Sequence, residues 1–291
     1  MRLAIIGFGL IGGSVARALG ARDAGRWRIA AWSRSSDGPR AALADGAIDV
    51  AAASAEEAIA GAELVLLAAS PLANLELVAR LGPAVAAAGA TLTDVTSAQS
   101  RMARAAARVP GLRHVGGHPM AGAEARGYDA ARADLFAGRP WIVLPGPQAQ
   151  PADVDRVRDL AVACGGRPVE LDPAVHDRLV AAISHAPLVI AAALAETVTS
   201  SDDWAAASEL AAGGWRDTTR VARGDPDVGA GIAALNRDEL AAWLDRFAAT
   251  LAAWRAELEA VPDAPDAAAV ASLRARFERV RAALDSRPAD D

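Results

Sequence analysis

The sequence predicts an α/β protein, with an N-terminal doubly wound parallel sheet over residues 1–172 and an all-helical C-terminal half over residues 173–291. Three observations carry this reading. Short apolar runs alternate with helix-patterned segments, the pattern of parallel strands joined by crossovers. A glycine-rich turn, Gly7-Phe-Gly9-Leu-Ile-Gly12-Gly13-Ser14, links the first run to the first helical segment. Beyond Asp172-Pro173 the strand-like runs stop and only helical periodicity remains.

Taken in order, Arg2 to Ile6 is a short apolar strand, followed by the glycine turn and a helical pattern to about Leu19. Trp27 to Trp32 reads as a second strand. The run from Leu64 to Ala69 contains no polar residue, as suits a parallel strand buried on both faces. Thr91 to Asp94 is another strand. Helical segments fall around 40–45, 54–60, 72–80 and 98–108. Gly116-Gly117-His118-Pro119-Met120-Ala121-Gly122 reads as a turn of small residues that lets a ligand approach His118 closely. Pro140 to Leu144 and Arg167 to Leu171 are two further strands, joined by a helix over about 152–163. In the helical half, Ser184-His185-Ala186-Pro187-Leu188 interrupts a long helix, and Gly213-Gly214 and Gly224-Asp225-Pro226 break the pattern. The polar tail from Ser286 to Asp291 reads as a frayed end.

Composition narrows the class. Of 291 residues, 53% are hydrophobic but only 4% aromatic, so the core is built of alanine, leucine, valine and isoleucine. All 30 basic residues are arginine, which excludes a lysine Schiff base or a lysine general base. A net charge of −6 with interspersed signs argues against nucleic acid as a partner. The single cysteine, Cys164, fits a reducing compartment, and a cytoplasmic location is expected. No signal peptide is expected before the first strand, and no alanine-rich run reads as a membrane span. His114, His118, His176 and His185 match no common zinc spacing, so no metal is expected.

The glycine turn has the strand–turn–helix context that a dinucleotide fingerprint requires. Gly7 permits the tight turn, Gly9 lets backbone approach a pyrophosphate, and Gly12 lets helix pack on strand; Leu10 and Ile11 complete the turn. At the end of the second strand stand Ser33-Arg34-Ser35, with no carboxylate until Asp37. Arginine among small hydroxyls suits a 2′-phosphate, so NADP is favoured over NAD. Ser70-Pro71 and Asp94 follow later strands and are expected to line the same groove, since ligands gather at strand carboxyl ends.

Ser97 follows Asp94 and is expected to point into that crevice. His118, as a neutral imidazole, can accept a hydroxyl proton while its other nitrogen is held by a group such as Ser97. Proton removal from O–H beside a nicotinamide is what alcohol oxidation by hydride transfer needs. The run Gly213-Gly214-Trp215-Arg216-Asp217-Thr218-Thr219-Arg220 offers an arginine able to clamp a carboxylate.

Together these residues resemble the prephenate/arogenate dehydrogenase family of tyrosine biosynthesis. The carriers are Gly7 to Ser14, Asp94-x-x-Ser97, Gly117-His-Pro-Met-Ala-Gly122 with Glu124, His176-Asp177, Ser184-His185-x-Pro187 and Arg216-Asp-Thr-Thr-Arg220. The resemblance implies a Rossmann-like domain, a helical domain that forms a homodimer, and an active site between them. It implies oxidative decarboxylation of a cyclohexadienol acid, with His118 as base and Ser97 orienting it. Arg220, from its own or the partner subunit, would bind a substrate carboxylate; Ser184, His185 and Glu124 would line the pocket. Three departures stand out: Gln99 in place of a frequent lysine, Ala123 of a frequent threonine, and Leu188 of a frequent second histidine. Leu188 cannot donate to an anionic side chain. Prephenate is therefore the first choice of substrate and arogenate the alternative. Another two-domain reductase of this architecture would rely on a lysine that this chain lacks. A non-catalytic nucleotide sensor would have no need of His118, Ser97 and Arg220 together.

Overall fold

The computed structural model describes residues 1–286, so the tail beyond Ser286 lies outside the described residues. The described strands are β1 (Arg2–Ile6), β2 (Arg28–Trp32), β3 (Val50–Ala51), β4 (Leu64–Leu67), β5 (Thr91–Asp94), β6 (Arg113–Pro119), β7 (Pro140–Pro145) and β8 (Arg167–Glu170). They form one sheet in the order β3-β2-β1-β4-β5-β6-β7-β8. Helices α1 (Leu10–Arg22), α2 (Asp37–Ala44), α3 (Ala55–Ile59), α4 (Pro71–Ala87), α5 (Ser100–Ala107) and α6 (Pro151–Ala163) connect them.

The side chains of β1 show why the sheet is covered twice. Leu3 and Ile5 pack with Leu64, Leu66, Val15 and Leu19 on one face. Ala4 and Ile6 pack with Val65, Leu67, Val78 and Leu81 on the other. Alternate residues of β1 and β4 thus enter two cores, and neither strand has a solvent-facing side.

All pairs but one are parallel. β6 and β7 run antiparallel, with His118 opposite Ile142. The segment between them holds only a short 3₁₀ turn, Tyr128–Ala130, and no helix that would cross the sheet. Without a crossover the chain returns in the opposite direction. β6 also corrects the turn expected at residues 116–119: His118 stands in a buried strand. Two glycines conceal that strand by removing the β-branched signal. Their bareness is required, because a Cβ on Gly117 would lie 2.5 Å from the Asp94 carbonyl oxygen.

The all-helical half begins at Asp172, whose carboxylate accepts from the N–H groups of Ala174 and Val175. Its helices are α7 (Pro173–Val180), α8 (Ala186–Thr199), α9 (Trp204–Glu209), α10 (Gly213–Thr219), α11 (Pro226–Leu235), α12 (Arg237–Glu259) and α13 (Ala271–Asp285). A π-turn, Ala181–His185, joins α7 to α8 without a break. The resulting run, Pro173–Thr199, has a mean hydropathy of 1.8 and is long and apolar enough by length and composition to cross a membrane. This corrects the expectation that no segment meets that test. The interruption foreseen at 184–188 divides the run on paper, whereas the chain stays helical through Pro187, which directly follows the wider π-turn. The run also carries His176, Asp177 and His185 buried in the protein. Only 28% of its apolar window is covered within one chain, leaving Ile183 and Leu194 exposed.

The chain divides into two compact units, Met1–Leu240 and Ala241–Asp291. In the second, the Trp254 and Phe277 rings stand 4.9 Å apart and Arg276 donates to Glu257 at 2.8 Å.

Candidate active site

A cavity of about 830 Å³ opens at the carboxyl ends of β1 and β4 within the first unit. Gly7, Gly9, Leu10, Ile11, Ser70 and Pro71 line it. Gly7 has φ +92°, and a Cβ there would meet the Ala69 amide nitrogen at 2.5 Å. A Cβ on Gly12 would meet the Gly7 carbonyl oxygen at 2.6 Å, so Gly12 serves helix–strand packing and stays outside the lining. Gly9 has nothing within 4 Å of its Cβ position. No side chain caps α1, whose first N–H groups are therefore free for an anion. This cradle fits a dinucleotide pyrophosphate. Ser33, Arg34 and Ser35 follow β2 outside the cavity lining; Arg34 is exposed, and Ser35 Oγ donates to Asp37 at 2.9 Å.

His118 and Ser97 line the same cavity. The hydrogen bond expected from Ser97 to His118 is not formed. His118 Nδ1 instead lies 2.8 Å from His176 Nε2, and His176 Nδ1 lies 2.9 Å from Asp177 Oδ1. The reason is placement: α7 brings His176 edge-on to the His118 ring, with centroids 5.1 Å apart. Asp177 is anchored in turn by the backbone N–H groups of Gln99 and Ser100, each at 2.7 Å, at the start of α5. Burial pushes the Asp177 carboxyl up, but the bonds from His176, Gln99 and Ser100 outweigh it and hold the carboxyl below its ordinary range. Burial, reinforced by His176 and His185, holds His118 well below the usual histidine value, against the opposing pull of Asp177. His118 is therefore neutral at pH 7.

Ala123, Glu124 and Leu188 also line the cavity. Arg220 itself is outside the lining, in a 3₁₀ turn, Arg220–Arg223, whose Val221 and Ala222 do line the cavity; its Nη1 donates to Glu124 Oε1 at 2.6 Å in the same chain. That bond holds the Glu124 carboxyl below its ordinary value.

Asp94, His185 and Ser184, also expected at the site, lie outside the lining as well. Asp94 is fully buried, outside the cavity lining, and its carboxylate is engaged by His114 Nε2 at 2.9 Å, by Thr96 N–H and by the Gln99 amide. It braces the loop after β5 and does not face the groove. His185 is also buried outside the lining, with Nδ1 3.0 Å from Asn236 Nδ2, and burial pushes it down to about 4. Ser184 is half-buried and likewise outside the lining; the π-turn reorients this stretch relative to a plain helix.

Sequence reasoning gave no role to His176 or Asp177. The available signal was an adjacent His-Asp pair opening the helical half, one turn beyond a capping Asp172. Gln99 was visible only as a departure from family habit. Here it is buried and donates to Asp94, to the Thr96 carbonyl and to the Gly117 carbonyl, tying β6 to the loop that carries Ser97.

Comparison with known families agrees with this geometry. Residues 15–170 match the model of the prephenate dehydrogenase nucleotide-binding domain, and residues 172–269 match that of the prephenate dehydrogenase dimerization domain. The chain belongs to the prephenate dehydrogenase family. Among curated members of that family, it is similar to the prephenate dehydrogenase of Bacillus subtilis, 33% identical over 246 residues, covering 84% of this chain. The chain spans 65% of that relative's length. It is 31% identical to the cyclohexadienyl dehydrogenase of Zymomonas mobilis over 256 residues, covering 86% of this chain and 85% of that one. Of solved structures, Synechocystis arogenate dehydrogenase superposes with a TM-score of 0.77 at 26% identity, over 98% of this chain and 99% of that one. As a member of the prephenate dehydrogenase family, the chain carries a nucleotide-binding domain and a dimerization domain.

Proposed function

We propose that this protein oxidises and decarboxylates prephenate to 4-hydroxyphenylpyruvate, passing a hydride to NAD(P)+. One observation carries the reading: a neutral, buried histidine lines the cavity that the fingerprint glycines also line. His118 accepts the proton of the ring hydroxyl at Nε2. When bound, the nicotinamide supplies the acceptor for the hydride leaving the hydroxyl-bearing ring carbon. The ring carboxylate departs as carbon dioxide, and its bonding electrons complete the aromatic ring. The proton held by His118 then returns to the phenolate oxygen, so no net proton is consumed. Ser97 lines the cavity beside the base and orients the hydroxyl. Arg220 exchanges Glu124 for a substrate carboxylate, as an arginine fork does.

Arogenate is the second reading. It is favoured by Leu188, which adds an apolar surface to the cavity where a donor to a keto acid would be needed, and by the acids Glu124 and Asp225 in the same lining, which suit an ammonium. NADP is the proposed cofactor over NAD, supported by exposed Arg34 after β2 and by the lack of a carboxylate before Asp37. A homodimer through the helical half, a domain boundary near residue 172 and a cytoplasmic location complete the proposal. The dimer is supported by the uncovered apolar face of α8, and the location by a lone, buried Cys164.

Steady-state assays of prephenate and arogenate, each with NAD and NADP, test the whole reading. Turnover fastest with prephenate and NADP is expected. Absence of turnover with all four pairs would overturn it.

A further inference from the structure

A neutral histidine has two tautomers, and only one of them presents a lone pair to the cavity. His118 Nδ1 is engaged by His176, while Nε2 makes no hydrogen bond and is not among the buried unpartnered polar atoms, so it reaches the cavity that His118 lines. We propose that Asp177 and His176 are positioning residues that lock His118 in the Nδ1–H tautomer and so leave Nε2 as the proton acceptor. This inference rests on His118 being the base of the proposed reaction.

The proton inventory leads there in three steps. Asp177 accepts N–H bonds from Gln99 and Ser100 at the start of α5, which keeps it a carboxylate. A carboxylate only accepts, so His176 donates from Nδ1 across the 2.9 Å contact. An uncharged imidazole carries a single N–H, so with Nδ1 donating to Asp177 its Nε2 accepts across the 2.8 Å contact from His118 Nδ1–H. The reverse tautomer of His118 would set two lone pairs against each other in a buried site.

The three groups come from different parts of the chain: His118 from β6, His176 and Asp177 from α7, and the anchoring N–H groups from the start of α5. Asn236, at the end of α11, donates from Nδ2 to the Asp177 carbonyl and sits against His185 Nδ1, fixing α7 from its far side. When Nε2 takes the substrate proton, the new positive charge on His118 faces His176 and, behind it, the Asp177 carboxylate. The carboxylate stabilises that charge without itself becoming protonated. The titratable groups facing His118 are His176, Asp177 and His185. Of these, only Asp177 favours the protonated base.

The test has two arms. Ring-nitrogen NMR of the full chain labelled with [¹⁵N]histidine, its four histidines assigned by single substitutions, reports tautomers without any substrate. Nδ1–H forms at both His118 and His176 are expected. An Nε2–H form at His118 would overturn the proposal. In the second arm, His176→Phe should lower kcat by about 10²-fold or more with KM little changed, and His176→Gln, which restores an acceptor, should recover part of the loss. Asp177→Asn should move the acidic limb of the kcat/KM profile to lower pH, because the group that favours protonated His118 loses its charge. An unmoved limb and a full kcat in His176→Phe would overturn the proposal. If the natural protein turns over none of the four substrate pairs, the functional reading fails, and the NMR arm alone decides the tautomer.

Discussion

Arg220 reaches Glu124 in the cavity lining, Nη1 to Oε1 at 2.6 Å, although 96 residues separate them in sequence. Both side chains are largely exposed, at 62% and 45%, so the pair is screened and easily exchanged. A substrate carboxylate competes with Glu124 for the same guanidinium. Arg220→Ala should therefore raise KM by roughly 10–100-fold, the worth of one charge-assisted hydrogen bond set. Glu124→Gln should lower KM at low ionic strength, and that gain should shrink in salt. Steady-state kinetics at two salt concentrations check both, and an unchanged KM in Arg220→Ala would assign Arg220 a structural role.

His118→Asn removes the lone pair and keeps a polar side chain of similar reach. Turnover should drop by about 10²–10⁴-fold. Nucleotide affinity should be little changed, since the fingerprint glycines that would cradle the pyrophosphate are untouched. Equilibrium binding of NADPH by fluorescence, set beside the turnover number, separates the two effects.

The legible part of the fold was its apolar strands. β1, β2, β4, β5, β7 and β8 all lie within runs that the sequence marks as strands, most plainly β4, whose four apolar residues are buried on both faces. β3, with two residues, is too short to leave a pattern. β6 was illegible for a different reason: Gly116 and Gly117 are chosen for clearance against the loop after β5, and clearance erases the strand signal. The fingerprint, His118 and the cavity-facing Ser70-Pro71 could be read from motif and position. The partner of His118 could not. A hydrogen bond between residues 118 and 176 depends on how α7 docks against β6, and local pattern carries no information on that docking.

Buried neutral histidines make the protein acid-sensitive. Burial takes His185 from 6.5 to about 4, so between those values the unfolded chain binds a proton that the folded chain refuses. Stability is then fully present above the unfolded value and falls as pH drops toward 4, by up to about 3 kcal/mol from this residue. His118 acts in the same direction. Urea unfolding midpoints should decline from pH 7.5 to pH 4.5. In His185→Gln the decline should be shallower, even if the variant starts from a lower midpoint.

The two fingerprint glycines with cavity-facing positions should respond differently to a side chain. Gly9→Ala meets open space and should keep the thermal midpoint while weakening nucleotide binding. Gly7→Ala forces a Cβ against the Ala69 amide at positive φ and should cost on the order of 1–3 kcal/mol of stability. Calorimetry with and without NADP distinguishes them.

The uncovered face of α8 gives the quaternary prediction. Leu194→Glu places a charge on an apolar helix that is exposed in a single chain. Sedimentation should show a dimer for the natural protein and a shift toward monomer for the variant. A monomeric natural protein at micromolar concentration would remove α8 as the contact.

The π-turn at Ala181–His185 has a bearing on how this chain can change over time. One surplus residue in a helix turns everything beyond it by about 100° relative to an unbulged helix. His176 lies before the turn and meets the base; Leu188 lies after it and faces the cavity. Loss of a single codon anywhere between them would restore ordinary helix and swing Leu188 out of the cavity while leaving His176 in place. Point substitutions are open to this stretch, but insertions and deletions are closed to it, and its length should prove fixed among working descendants even where its residues drift.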